Sequence, residues 1–73
     1  MTIKEAKELK AGDWIHNLLK KNADGTPMRA RVTSVKTWKT RPDAVRIGFK
    51  RGLYEYGTIS NDEIGDFGVG EGR

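Results

Sequence analysis

The stretch that decides the fold is Met28-Arg-Ala-Arg-Val-Thr-Ser-Val-Lys-Thr-Trp-Lys39, the longest strand candidate in a chain of 73 residues. Apolar and polar residues alternate in it up to Val32, the pattern of a strand with one buried face. Val35 breaks this alternation, because it is apolar at a position that should face solvent. One extra residue near Thr33 and Ser34, a β-bulge or sharp bend, restores the parity. The pattern therefore predicts a long strand that is bent in the middle.

Shorter strand candidates flank this stretch on both sides. An Asp24-Gly25 turn signal precedes it, and turns centred on Pro42 and Gly52 follow it. The candidates occupy residues 14–19, 45–50, 53–59 and 66–69. Together they predict an up-and-down meander of four or five antiparallel strands.

Pairing across the first of the later turns predicts which side chains share a face. A turn at residues 41–43 places Val35 opposite Phe49, on the core side. The same register places Trp38 opposite Arg46, on the outer side.

The next turn has two possible registers, and the position of Glu55 chooses between them. One register buries its carboxylate beside Ile47, which is costly for an unpaired charge. The other pairs Phe49 with Tyr54 and Ile47 with Tyr56. We therefore expect both tyrosines on the core side.

Helical signals stand at the two ends of the chain. Thr2 and Glu5 form a capping-box pattern at the start of a predicted helix over residues 3–9. Residues 60–63 repeat the pattern and predict one helical or 3₁₀ turn before the last strand. Residues 1–69 are expected to form a single domain, and residues 70–73 a flexible C-terminal tail.

A flat sheet of this size would leave one face and both edges open, and closure into a barrel would remove both problems. The chain resembles the SH3-like barrel superfamily, which includes KOW and Tudor-type small barrels. The resemblance is carried by Leu9-Lys-Ala-Gly-Asp-Trp-Ile15, by Arg31-Val-Thr-Ser-Val35 and by the helical turn at residues 60–66. It implies a mainly β fold: a small SH3-like barrel of four or five antiparallel strands, with a short N-terminal helix and a short helical turn near the C-terminus.

Charge is segregated along the chain, although the net charge is only +4. Residues 28–51 hold eight basic residues and one acidic residue, a net +7, whereas residues 52–73 hold one basic and five acidic residues, a net −4. Such a field attracts polyanions by steering and by counterion release. A solvated surface that the acidic end partly neutralises would have the same composition.

Several classes of protein are disfavoured by composition. The chain has no cysteine and one histidine, His16, so it lacks a disulfide framework and a thiolate or histidine zinc site. We expect no catalytic residues, no cofactor and no bound metal, and therefore no enzyme. No apolar segment reaches the roughly 18 residues of a membrane span, and the charged N-terminus is unlike a signal peptide. We expect a cytoplasmic protein that does not bind membranes.

The leading functional candidate is Lys36-Thr-Trp-Lys-Thr-Arg-Pro42, where a tryptophan is flanked by cations. Cations neutralise phosphates, and an indole face stacks on an unpaired base. We therefore predict a non-enzymatic module that binds RNA or DNA with weak sequence preference. The predicted nucleic-acid-binding residues are Arg29, Arg31, Lys36, Trp38, Lys39, Arg41, Arg46, Lys50 and Arg51.

Structural alternatives exist for both tryptophans. Trp38 and Arg46 can form a cation–π pair that binds nothing else, or Trp38 can be covered by the N-terminal helix. Trp14 faces outward if Ile15 is a core residue, or it packs under the N-terminal helix beside Leu9.

The alternative function is a protein-interaction or assembly module, in which the same basic face or an open strand edge meets an acidic protein surface. Leu18 and Leu19 cannot both face one core from a regular strand, and an exposed leucine near an edge favours self-association. A monomer or a weak homodimer is therefore expected. Residues 60–73 bear on the choice, because an acidic segment lying over the basic face would disfavour nucleic acid.

Overall fold

The computed structural model describes residues 1–72. One helix, five strands and a 3₁₀ turn account for most of them. In chain order they are α1 (Ile3–Glu8), β1 (Trp14–Lys21), β2 (Pro27–Trp38), β3 (Arg41–Arg51), β4 (Glu55–Ser60), the 3₁₀ turn Ile64–Asp66 and β5 (Phe67–Val69). The predicted mainly β fold, with antiparallel strands, a short N-terminal helix and a helical turn near the C-terminus, is confirmed.

The five strands form one antiparallel sheet in the order β4-β3-β2-β1-β5. Strands β4 and β5 are its two edges, and no ladder joins them within residues 1–72, so the sheet does not close. The inner face is instead covered by α1 and the 3₁₀ turn, whose side chains join the hydrophobic core. The helix and the 3₁₀ turn therefore cover the apolar face, which barrel closure was expected to do.

The predicted bulge in β2 is confirmed. The β2–β3 register shifts between Val32 and Ser34, and both Val32 and Val35 belong to or pack against the core. Beyond the bulge the register differs by two residues from the prediction, because Val35 lies opposite Ile47 and not Phe49. It shifts again between Thr37 and Trp38, and Trp38 lies opposite Arg41 and not Arg46. The cause is the position of the turn: β3 already begins at Arg41, so the chain reverses earlier than Pro42 suggested.

The predicted β3–β4 register is wrong. Ile59 lies opposite Ile47, and the side chains of Tyr54 and Tyr56 are exposed rather than turned to the core. The turn after β3 is longer than expected, and β4 begins only at Glu55. In this register Ile59 fills the core position that the prediction gave to Tyr56.

The core lies between the inner face of the sheet and α1. It consists of Ala6, Leu9, Ile15, Ala30, Val32, Val45, Ile47, Ile59 and Ile64. Three polar contacts hold α1 in place: the N-terminal ammonium group donates to the Ile64 carbonyl at 3.1 Å and to the Phe67 carbonyl, and Lys7 Nζ donates to the Pro42 carbonyl. A six-residue helix is unstable alone, so its position depends on this docking.

The molecule is elongated, with extents of 42 × 22 × 16 Å. The β1–β2 register shifts between His16 and Lys21, and both Leu18 and Leu19 between them are exposed. Neither described helix has the length and apolar character that crossing a membrane requires. The division into a domain of residues 1–69 and a tail of residues 70–73 stays a prediction, and Arg73 lies outside the described residues.

We predict that Ile47→Ala lowers the free energy of unfolding by about 2–5 kcal/mol, because Ile47 is fully buried at the centre of the core. Leu19→Ala, at a residue with 73% of its surface exposed, should change it by less than about 0.5 kcal/mol. Urea unfolding followed by circular dichroism measures both. Equal effects of the two substitutions would contradict the assigned core.

The capping box of α1 leads to a second prediction, which concerns the effect of pH. The Thr2 backbone N–H donates to Glu5 Oε1 at 2.9 Å and lowers the pKa of the Glu5 carboxyl below its usual value. A depressed pKa means that the capping interaction is complete above the usual value of 4.5 and is lost as pH falls through the lower, folded-state pKa. The Thr2 amide proton shift should therefore titrate with a midpoint below 4.5. In Glu5→Gln this titration should be absent, and a midpoint at or above 4.5 in the natural protein would contradict the capping geometry.

Candidate nucleic-acid interface

The side of the sheet that faces away from the core is called the outer face here. Strand alternation opposite the buried residues, together with the β2 bulge, decides which side chains reach it. Cross-strand pairs define its rows: Trp14 with Arg31, Lys50 and Tyr56; Ser34 with Gly48 and Thr58; and Lys36 with Arg46 and Ser60. Cations and aromatic rings therefore occupy the two outer rows, and small side chains occupy the middle row.

The first row is centred on the Trp14 cluster, formed by Trp14, Arg29 and Arg31. The Arg31 guanidinium carbon lies 4.5 Å from the centroid of the Trp14 ring, and that of Arg29 lies 6.0 Å from it. Trp14 is half-buried, and Lys50 and Tyr56 continue its row across β3 and β4. Trp14 is thus paired with cations on the outer face and is not one of the residues in the core under α1.

The third row contains the Trp38 cluster, formed by Lys36, Trp38 and Arg46. Lys36 Nζ lies 5.3 Å and the Arg46 guanidinium carbon 5.9 Å from the centroid of the Trp38 ring. Lys36 and Arg46 are directly opposite each other, and Trp38 is half-buried. The predicted grouping of Trp38 with these two cations on one face is confirmed, although the strand register that produces it is different.

The middle row separates the two clusters. Gly48 is buried beneath Ser34, so closely that a Cβ atom at Gly48 would lie 2.5 Å from Ser34 Oγ. Thr58 continues the row on β4. The surface between the clusters therefore carries short hydroxyl side chains and no bulky group.

Acidic side chains reach the outer face only at its margins, among the residues that the structure describes. Glu71 Oε1 accepts a hydrogen bond and ion pair from Arg29 Nη1 at 3.2 Å. Asp62 and Glu63 accept from the Ser60 hydroxyl, each at 2.8 Å. The five cations Arg29, Arg31, Lys36, Arg46 and Lys50 occupy the face itself, and in residues 1–72 the acidic C-terminal segment forms an ion pair with only Arg29 among them.

Three predicted site residues lie away from the two clusters. Lys39 is in the β2–β3 turn, and Arg41 lies opposite Trp38 at the start of β3. Arg51 shares the parity of the inner residues Ile47 and Phe49, and it forms an ion pair with Glu55 at 3.3 Å. Lys39 and Arg41 can extend the Trp38 cluster at its end, whereas Arg51, at the end of β3, lines two clefts beside Trp14 together with Arg29.

Sequence reasoning missed two residues of this surface. Tyr56 was expected in the core, and Trp14 was given two possible positions. The parity of Trp14 relative to the core residue Ile15 was the signal that pointed outward.

Two adjoining clefts of about 690 and 310 Å³ open beside Trp14, both lined by Arg29, Arg51 and Gly52.

His16 and the acidic side chains are the groups whose chemistry suits a metal ion. No group of three or more His, Asp or Glu side chains in residues 1–72 is arranged to hold a metal ion. His16 Nδ1 lies 3.0 Å from the Gly70 carbonyl oxygen, so this imidazole takes part in fixing the C-terminal segment beside β1.

Comparisons with protein-family models, with curated proteins and with solved structures returned no match. The SH3-like assignment therefore stays a prediction, and function has to be argued from the surface of this chain.

Proposed function

We propose that the protein is a non-enzymatic module that binds nucleic acid through its outer face. One observation carries the proposal: two half-buried tryptophans, each with two cations at its ring, lie on one sheet face. Cations beside aromatic rings are the combination that binds phosphates and unpaired bases together. In this proposal the protein acts in the cytoplasm as a monomer or weak homodimer.

Phosphate contacts supply most of the affinity in this proposal. Arg31, Lys36, Arg46 and Lys50 have no described ion-pair partner and are therefore available to phosphate oxygens. Arg29 becomes available when Glu71 leaves it. Neutralised phosphates release condensed counterions, so binding of this kind weakens steeply with salt and depends little on sequence.

The open sheet edge favours a second candidate, a protein-interaction module. Strand β4 has one unpaired side in the described structure, and the exposed residues Leu53, Tyr54 and Tyr56 lie at or near it. An extended segment of an acidic partner protein could add a strand there. This candidate uses the edge, whereas nucleic-acid binding uses the face, so substitutions separate the two.

Removing Lys36 and Arg46 tests the face. The double variant Lys36→Gln, Arg46→Gln should bind a mixed-sequence oligonucleotide more weakly at 50 mM salt. It should also reduce the slope of log K against log salt by about 2, since about one unit is lost per phosphate contact. The matched control is Lys4→Gln, Lys10→Gln, which removes the same charge from exposed residues on or next to α1. Fluorescence anisotropy measures both slopes.

Equal slopes for the two double variants would show that net charge alone drives binding, and would overturn the assignment to the outer face. Absence of binding to any oligonucleotide at low salt would overturn the proposed function itself.

Two glutamates provide a second test with matched changes in net charge. Glu71→Gln frees Arg29 on the outer face and should tighten oligonucleotide binding by up to about fivefold, the range of an exposed ion pair. Glu8→Gln, at an exposed residue of α1 on the inner side of the sheet, makes the same change in net charge, yet it should leave the affinity nearly unchanged. An equal gain from both variants would contradict the placement of the site.

A further inference from the structure

We infer that the ligand is a single strand of RNA or DNA, bound across the outer face with an unpaired base at each tryptophan cluster. This inference rests on the proposed function and adds the strandedness, the number of contacts and the path of the ligand. It starts from the observation that the Trp14 and Trp38 clusters are two separate candidate binding sites on one surface.

The spacing of the clusters sets the length of ligand that they require. Lys50 lies in the Trp14 row and Arg46 in the Trp38 row, four residues apart along β3. At about 3.3 Å per residue the rows are about 13 Å apart. A stacked strand rises about 3.4 Å per nucleotide, so about four nucleotides cover this distance.

The aromatic groups indicate unpaired bases. In a duplex the faces of the bases are covered by their neighbours, so an indole ring finds a base to stack on only in a single strand or at a helix end. At the Trp14 cluster the Arg31 guanidinium lies close over the ring, and a guanidinium plane itself stacks on bases. This cluster therefore offers a stacking surface whether Arg31 stays on the indole or moves to a phosphate.

The middle row provides the path between the Trp14 cluster and the Trp38 cluster. Ser34, which lies over Gly48, and Thr58 are both short, so a sugar–phosphate backbone can lie close to the sheet there. Their hydroxyl groups can donate to phosphate oxygens or sugar oxygens, contacts that fix position without reading sequence. Cations at both ends of this path then hold the phosphates that flank it.

The described carboxylates near this path lie at its margins, and one of them, Glu55 of β4, lines a cleft beside Trp14. Glu71 marks the end of the path at Arg29, and Asp62 and Glu63 mark its side at Ser60. The ligand is thereby directed along β2 and β3, from Trp38 to Trp14.

The two tryptophans are natural reporters for the test. Trp14→Phe leaves Trp38 as the only indole, and Trp38→Phe leaves Trp14. Each variant is titrated with single-stranded DNA and RNA of two and eight nucleotides, with an abasic eight-nucleotide strand, and with a blunt-ended duplex. We expect the eight-nucleotide strands to quench both indoles and the dinucleotides to bind much more weakly.

The abasic strand keeps the phosphates and lacks the bases. Since stacking contributes about 5- to 150-fold per base, it should bind at least fivefold more weakly and leave both indoles unquenched. The duplex should bind less tightly than the single strand and quench neither indole. Whether RNA or DNA quenches at the lower concentration identifies the natural sugar.

Leucine substitutions test the contribution of each ring to affinity. Trp14→Leu and Trp38→Leu should each weaken the eight-nucleotide strand by about 5- to 150-fold, whereas Tyr54→Leu should have no effect, since Tyr54 is 88% exposed in the turn before β4. Circular dichroism establishes that each variant folds, and if one does not, the phenylalanine variants still report quenching.

Equal affinity for the abasic strand, the duplex and the normal strand would overturn the inference and leave phosphate binding by the outer face intact. Quenching of only one indole by the eight-nucleotide strand would likewise overturn the inference that the strand binds at both tryptophan clusters. Failure to bind any of these ligands at low salt would instead reject the proposed function.

Discussion

The bulge in β2 is the constraint on which both faces of the sheet depend. Before it, Ala30 and Val32 face the core; after it, Val35 does so. Without the extra residue, Lys36 and Trp38 would have the parity of Ala30 and would point into the core. One inserted residue therefore keeps a single apolar face on the inside and collects the cations of both halves of β2 on the outside.

The bulge and the capping box could be read from sequence because each is local. Two valines at incompatible parity within one strand leave few alternatives to a bulge, and Thr2 and Glu5 satisfy each other within one helical turn. The strand registers are different, because they depend on where the chain reverses. Pro42 suggested a turn that the structure places earlier, and the register of β3 moved by two residues with it.

The tyrosines show why composition did not settle the second register. Tyr54 and Tyr56 are apolar enough to fill a core and polar enough to face water, so excluding a buried Glu55 left them as core candidates. The structure avoids the same burial in another way: it places Glu55 beyond the core, paired with Arg51, and uses Ile59 opposite Ile47. An isoleucine loses more than a tyrosine by exposure, because it has no polar group to offer water.

The candidate site was predictable where parity alone decided it and not where pairing between distant strands did. Lys36, Trp38 and Arg46 belong to one hairpin, and a two-residue error of register preserves their face. The Trp14 cluster joins β1 to β2, whose pairing the sequence left open.

The division between the two faces also explains how such a surface can exchange partners. Stability comes from the inner face, whereas an exposed cation–π pair contributes only about 0.5–1 kcal/mol. In the proposed complex a single strand would offer a phosphate to each cation and a base to each indole, and so would replace both halves of the pair at little cost to the fold.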